Sequence, residues 1–219
     1  MKIKRNLLIL SVLLSSIVMS GIDGIIKPNY LLKSLIKLFL FLVLPIFLIK
    51  KDQIIKLFKP TKGILSAFGI GLLVYGVVIG GYFILNNQID FSAITENLTK
   101  DTGVTPKNFV FVSIYISFIN SLLEEFFFRG FAFIVLSKLT SIKFSYIFSS
   151  IMFAVYHLGM TIGWFNIWLW ILAIFGLFLG GCVFNFLDKK NESILPSWIV
   201  HIFANFAINT VGFVMFGMF

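Results

Sequence analysis

Seven apolar runs, each close to the length a helix needs to cross a hydrocarbon core, leave this chain few folds to choose from. About 20 residues suffice for such a crossing at roughly 1.5 Å per residue. The runs cover roughly residues 7–26, 32–49, 64–86, 108–137, 144–160, 164–187 and 194–218. Strands that cross lipid alternate apolar and polar side chains over about ten residues, and these runs do not alternate. Of the 219 residues, 59% are hydrophobic and 12% charged, against about 25% charged in a soluble domain. That surplus of apolar surface has to face lipid. The expected fold is all-α, a polytopic transmembrane bundle of seven spans. The fourth run is long enough to be tilted, broken or continued as a half-helix, so an eighth element is also compatible with the sequence.

The net charge of +9 comes from 18 Lys and Arg against 9 Asp and Glu. In a soluble chain that excess would suggest nucleic acid. Here the basic residues lie mainly between apolar runs, where they orient helices and meet anionic headgroups, so the partner is the lipid bilayer and not nucleic acid. With the N-terminus inside, the inner segments hold twelve basic residues: Lys2, Lys4, Arg5, Lys50, Lys51, Lys56, Lys59, Lys62, Lys138, Lys143, Lys189 and Lys190. The outer segments hold five: Lys27, Lys33, Lys37, Lys100 and Lys107. The bias predicts a cytoplasmic N-terminus and an outer C-terminus in a cell membrane, although an even helix count would move the C-terminus. The Lys-, Ile-, Phe- and Asn-rich composition has a bacterial look. The basic start resembles a signal peptide, but no clean small-x-small site follows the first run, so a retained helix is expected. Cys182 sits inside an apolar run and has no cysteine to pair with.

The longest hydrophilic stretch, residues 87–107, contains Asp90, Glu96 and Asp101 and is expected to carry a short amphipathic helix. It separates a front part, residues 1–107, from a back part, residues 108–219, which holds every candidate catalytic group. No internal repeat is visible, which leaves a repeat-built transporter architecture without support.

Ionisable side chains deep in a span are costly unless paired or hydrated, and so point to function by default. Of the Asp, Glu, Arg and His residues, five lie well inside these spans: Glu124, Glu125, Arg129, His157 and His201. At about 100° per residue, Ser113, Ser117, Asn120 and Ser121 all lie within about 60° of Glu124. This polar stripe suits a helix lining a hydrated intramembrane cavity and not one facing lipid. Glu125 and Arg129 are spaced i, i+4 with the acid first, the favourable order for an ion pair. Glu124 points elsewhere and is left for general-base chemistry. His157 follows Phe153 by four residues, and His201 precedes Asn205 by four. At about 1.5 Å per residue from the nearest inner lysine, Glu124 and His157 lie about 21 Å deep and His201 about 16 Å, so tilted helices can bring them together. A single histidine on an apolar face is more often a satisfied core residue, and Asn205 alone fits a helix–helix contact. Five such groups at compatible depths point to a site. Asp23 and Asn166, near span ends, read as structural.

The order and spacing of these residues resemble a known family. Glu124-Glu125-Phe126-Phe127-Phe128-Arg129 matches Glu-Glu-x-x-x-Arg, Phe153 to His157 matches Phe-x-x-x-His, and His201 to Asn205 matches His-x-x-x-Asn. Together they resemble the CAAX-protease and bacteriocin-processing (CPBP, or Abi) family of intramembrane endopeptidases over about residues 110–210, while the first 100 residues show nothing specific. The resemblance implies hydrolysis of a peptide bond in a membrane protein or peptide, as CAAX-like processing, leader-peptide maturation or bacteriocin self-immunity. It implies that Glu124 activates water with help from His157, that Glu125 and Arg129 support the site, and that His201 and Asn205 bind the water or the oxyanion. The family is often called a metalloprotease. His157 and His201 are the candidate Zn²⁺ ligands, and a metal-free glutamate mechanism fits the same residues. His-Glu-x-x-His, Gly-x-Gly-Asp and a Gly-x-Ser setting with a partner histidine are all missing. Two rival readings use the same residues: a non-catalytic immunity or scaffold protein of this fold, and a transporter with Glu124 and Glu125 as a proton relay.

Overall fold

The computed structural model describes residues 2–218, and among them every regular element is helical. Seven helices are long and apolar enough to cross a membrane: α1 (Lys4–Ile26), α2 (Tyr30–Leu48), α4 (Gly63–Leu85), α6 (Phe109–Val135), α7 (Ile142–Thr161), α8 (Ile167–Lys189) and α9 (Leu195–Met215). They coincide with the seven apolar runs. Two shorter helices, α3 (Lys51–Leu57) and α5 (Ser92–Thr102), lie between spans. The second is the helix expected in the hydrophilic stretch. Asp101 of α5 pairs with Lys27 at 2.7 Å and the Asn97 amide donates to Gly163 O at 3.1 Å, which tie α5 to the end of α1 and the start of α8.

Side-chain caps set several helix starts. Asn29 Oδ1 accepts from Leu32 N, Ser141 Oγ from Phe144 N, and Asn166 Oδ1 from both Trp168 N and Leu169 N. Each answers a backbone donor that the first turn would leave unpaired. Asn166 thus has the structural part its place at a span end suggested.

Helix α6 departs most from regular geometry. It widens into π-helical turns at Ile116–Asn120 and again at Glu125–Val135, with Ser121 N donating to Ile116 O and Leu136 N to Phe131 O. An i→i+5 bond rotates successive side chains by less than an α-turn does, and such turns gather at functional sites. All eleven residues of Glu125–Val135 are buried. Around them pack α7, α8 and the short α3, together with the front helices α1 and α2. Helix α7 lies between α1, α6 and α8, while α4 lies along α9. One apolar core joins Leu8, Val12 and Met19 of α1 and Phe41 of α2 to Phe126, Phe127, Phe128 and Phe131 of α6. The Phe41 ring stacks on that of Phe127 at 4.2 Å. Outward faces of α4 and α8 remain apolar, with Leu65, Leu73, Phe83, Trp168, Leu172 and Phe186 exposed. Such a surface suits contact with lipid.

Helices α1 and α7 meet backbone to backbone. A Cβ on Gly159 would lie 1.8 Å from Ser20 O, and one on Gly24 would lie 3.0 Å from Gly159 Cα. Gly159 N donates to Ser20 Oγ at 3.0 Å. Two glycines facing each other let the backbones meet, as small residues do between membrane helices. The crossing is two residues from His157.

Candidate active site

Four helices deliver the ionisable groups to one place. Helix α6 brings Glu124, Glu125 and Arg129, α7 brings His157, and α9 brings His201, all buried. The fourth contributor, α2, was not foreseen. Lys37, counted above among the outer lysines, is 2% exposed inside the bundle and contacts Glu124. A lysine well inside an apolar run is itself a signal of a charge inside the bundle, whereas the charge count above places Lys37 with the outer segments. Moving it inward leaves four outer lysines, Lys27, Lys33, Lys100 and Lys107, on the topology above.

The two carboxylate oxygens of Glu124 have different surroundings. Oε1 accepts from Lys37 Nζ at 2.6 Å, Asn120 Nδ2 at 2.8 Å and Tyr156 OH at 3.2 Å. Lys37 Nζ also donates to Tyr156 OH at 2.6 Å and to Asn120 Oδ1. Oε2 faces His157 Nε2 at 3.9 Å and His201 Nε2 at 3.8 Å. These separations exceed a direct hydrogen bond but suit a small molecule held between the three atoms.

The outer ring nitrogen orients each histidine. His157 Nδ1 lies 2.7 Å from Phe153 O. A carbonyl only accepts, so this nitrogen carries the proton and Nε2 turns to Glu124. His201 Nδ1 lies 2.7 Å from Glu125 Oε1. A carboxylate behind an imidazole fixes the orientation of its ring. Glu125 Oε2 lies 3.3 Å from Arg129 Nε, the ion pair expected from the i, i+4 spacing. The Arg129 guanidinium lies over the Phe153 ring at 4.2 Å and the Phe184 ring at 4.8 Å. Buried cation–π contact is strong for a planar guanidinium. Phe153 also meets the His157 ring edge-on at 4.6 Å. One phenylalanine thus touches both the support pair and the histidine four residues ahead of it.

Asn205 lies one turn beyond His201, and its Nδ2 donates to Ile116 O at 3.1 Å in the first wide turn of α6. Asn209 donates to Ser113 O and Ser117 Oγ, and Trp198 Nε1 to Ser121 Oγ. The polar stripe of α6 therefore divides in two. Its serines are occupied by α9 in a helix–helix seam, and only Asn120 and Glu124 face the ionisable cluster. Asp188, a buried carboxylate that sequence reasoning passed over, accepts from Ser197 N at 3.1 Å and Ser197 Oγ at 2.6 Å and so caps α9. Tyr156 carried no signal beyond standing next to His157.

Zinc bonds of about 2.0–2.1 Å imply donors roughly 3.3 Å apart around a tetrahedral ion. Glu124 Oε2 is 3.8–3.9 Å from the two Nε2 atoms. Among the described residues no three His, Cys, Asp or Glu side chains are grouped to hold a metal ion. Both separations are longer than that spacing by roughly half an ångström.

Seven apolar helices enclosing a carboxylate with two imidazoles define a polytopic helical membrane protein with an intramembrane glutamate–histidine site. Residues 106–207 match the Rce1-like family, described as type II CAAX prenyl endopeptidase Rce1-like, and this match supports the CAAX-protease resemblance of that segment. All three motifs lie inside the match, and Lys37 lies outside it. No curated protein and no solved structure matches the chain. Seven apolar helices together with a match to a membrane-protease family indicate a multi-pass membrane protein.

Proposed function

We propose that the chain is an intramembrane endopeptidase in which Glu124 is the general base. The observation that carries this reading is the division of labour at Glu124, with Oε1 held by three donors and Oε2 facing two imidazole nitrogens. A water between these three atoms gives one proton to Oε2, donates its other hydrogen to an imidazole Nε2 lone pair, and keeps a lone pair for a substrate carbonyl. Its oxygen adds to the carbonyl carbon. The addition turns the carbonyl oxygen into an oxyanion, which needs a donor. Asn205 gives one amide hydrogen to Ile116 O and has a second to offer the oxyanion. On collapse the C–N bond breaks, the leaving amine takes the proton from Glu124, and the carboxylate is restored. Glu125 and Arg129 act by orienting His201, and Phe153 by fixing Arg129 and His157. The substrate is a membrane protein or a membrane-associated peptide, in CAAX-like processing, leader removal or self-immunity.

Mass spectrometry of membrane peptides from cells expressing the wild type, Glu124→Ala and His157→Ala tests the reading. Fragments present with the wild type should vanish in both variants. A wild type that yields no such fragments, with both variants keeping its phenotype, supports the scaffold reading instead, and pH-gradient coupling without cleavage supports the transporter.

The water is activated without a metal on this proposal, and the donor spacing supports that form. Fragment formation in purified membranes is therefore expected to persist, within twofold, in excess EDTA or 1,10-phenanthroline. Inhibition that Zn²⁺ reverses, with an unchanged melting temperature, would count against it and make His157 and His201 the ligands to test.

A further inference from the structure

We infer that Lys37 is a positioning residue for Glu124, acting as the counter-ion that locks Oε1 and leaves Oε2 turned to the two histidines; the inference rests on the endopeptidase reading above. An ammonium has three N–H donors, and here each has an acceptor: Glu124 Oε1, Tyr156 OH and Asn120 Oδ1. Asn120 and Tyr156 then donate to the same carboxylate oxygen. The result is a closed ring of four side chains from three helices, α2, α6 and α7. Each link removes a rotation that Glu124 would otherwise have.

Charge balance points the same way. Glu124 pairs with Lys37 and Glu125 with Arg129, which leaves both imidazoles free of the duty of neutralising a carboxylate. A buried charge lacking its partner is costly, so the base needs a cation close by, and the family-matched segment supplies its only deep cation to Glu125. Lys33, one turn earlier on α2, pairs with Asp23 of α1 at 2.7 Å. That contact sets the depth at which Lys37 enters the bundle. An unbranched lysine suits this seat because its donors radiate from one atom, whereas the flat arginine fork aims at two coplanar acceptors.

Lys37→Met keeps the stem and removes the charge. For the fragments that depend on Glu124, kcat should fall about 100-fold while KM stays within about threefold, the pattern of an interaction needed in the transition state. Lys37→Arg should recover at least fivefold of that loss, since it restores the charge but not the geometry. An unchanged kcat in Lys37→Met, or equal losses in Met and Arg variants, overturns the inference. A second arm needs no substrate: thermal unfolding in detergent of Lys37→Met, Glu124→Gln and the double variant. A functional pair is non-additive, so the double variant should melt no lower than the worse single variant; additive losses overturn the pairing. If the wild type cleaves nothing, the endopeptidase reading fails, and the unfolding cycle still decides whether Lys37 holds Glu124.

Discussion

Arg129→Ala is expected to destabilise the protein by about 3–5 kcal/mol, the cost of removing one member of a buried ion pair. Arg129 and Glu125 are both fully buried, and the guanidinium lies against Phe153 and Phe184. Its loss leaves the Glu125 carboxylate with His201 alone and opens a gap between two aromatic rings. Arg129→Lys should recover little, because an ammonium cannot stack on two phenylalanine faces as a flat guanidinium does. Arg129→Ala/Glu125→Ala should be more stable than Arg129→Ala alone, since both charges then leave together. Thermal unfolding in detergent measures all three. A loss below about 1 kcal/mol in Arg129→Ala, the size of an exposed pair, would mean that water reaches the pair.

Gly159→Ala is expected to exceed the about 1–3 kcal/mol typical of overpacking. The added Cβ would fall 1.8 Å from Ser20 O and 2.8 Å from Gly24 N. Both obstacles are backbone, so no rotamer change relieves them and α1 must move away from α7. The move breaks the Gly159 N to Ser20 Oγ bond and shifts His157, two residues away. Lost stability and lost cleavage should therefore appear together. Gly176→Ala on α8 is the control, because a Cβ there meets nothing within 4 Å. It should leave the melting temperature unchanged or raise it, given the helical cost of glycine.

Much of the site was legible in the chain because its signals are local. Glu125 and Arg129 pair within one helix, and their spacing survives the wide turn that begins at Glu125. Histidine and glutamate in apolar runs stand out whatever their neighbours are. The helical wheel on α6 failed for a physical reason: i→i+5 turns rotate the side chains differently from the α-turn that the wheel assumes, and no residue type marks them. Ser113, Ser117 and Ser121 therefore read as cavity lining, whereas α9 occupies them.

Hydrophobic run length, with no alternation along the runs, determined the all-α class and the seven spans, since lipid leaves an apolar segment only a helix or a closed barrel in which to satisfy its backbone. Motif spacing likewise determined which residues on α6, α7 and α9 belong together. Only the tertiary structure decided that the second carboxylate reaches His201, and that Glu124 takes its counter-ion from a helix 87 residues away. Pairing between distant helices follows from depth, rotation and close backbone crossings such as Gly24 with Gly159. Those are properties of the packed bundle, because a lysine that is costly alone in lipid becomes stable once three acceptors from other helices surround it.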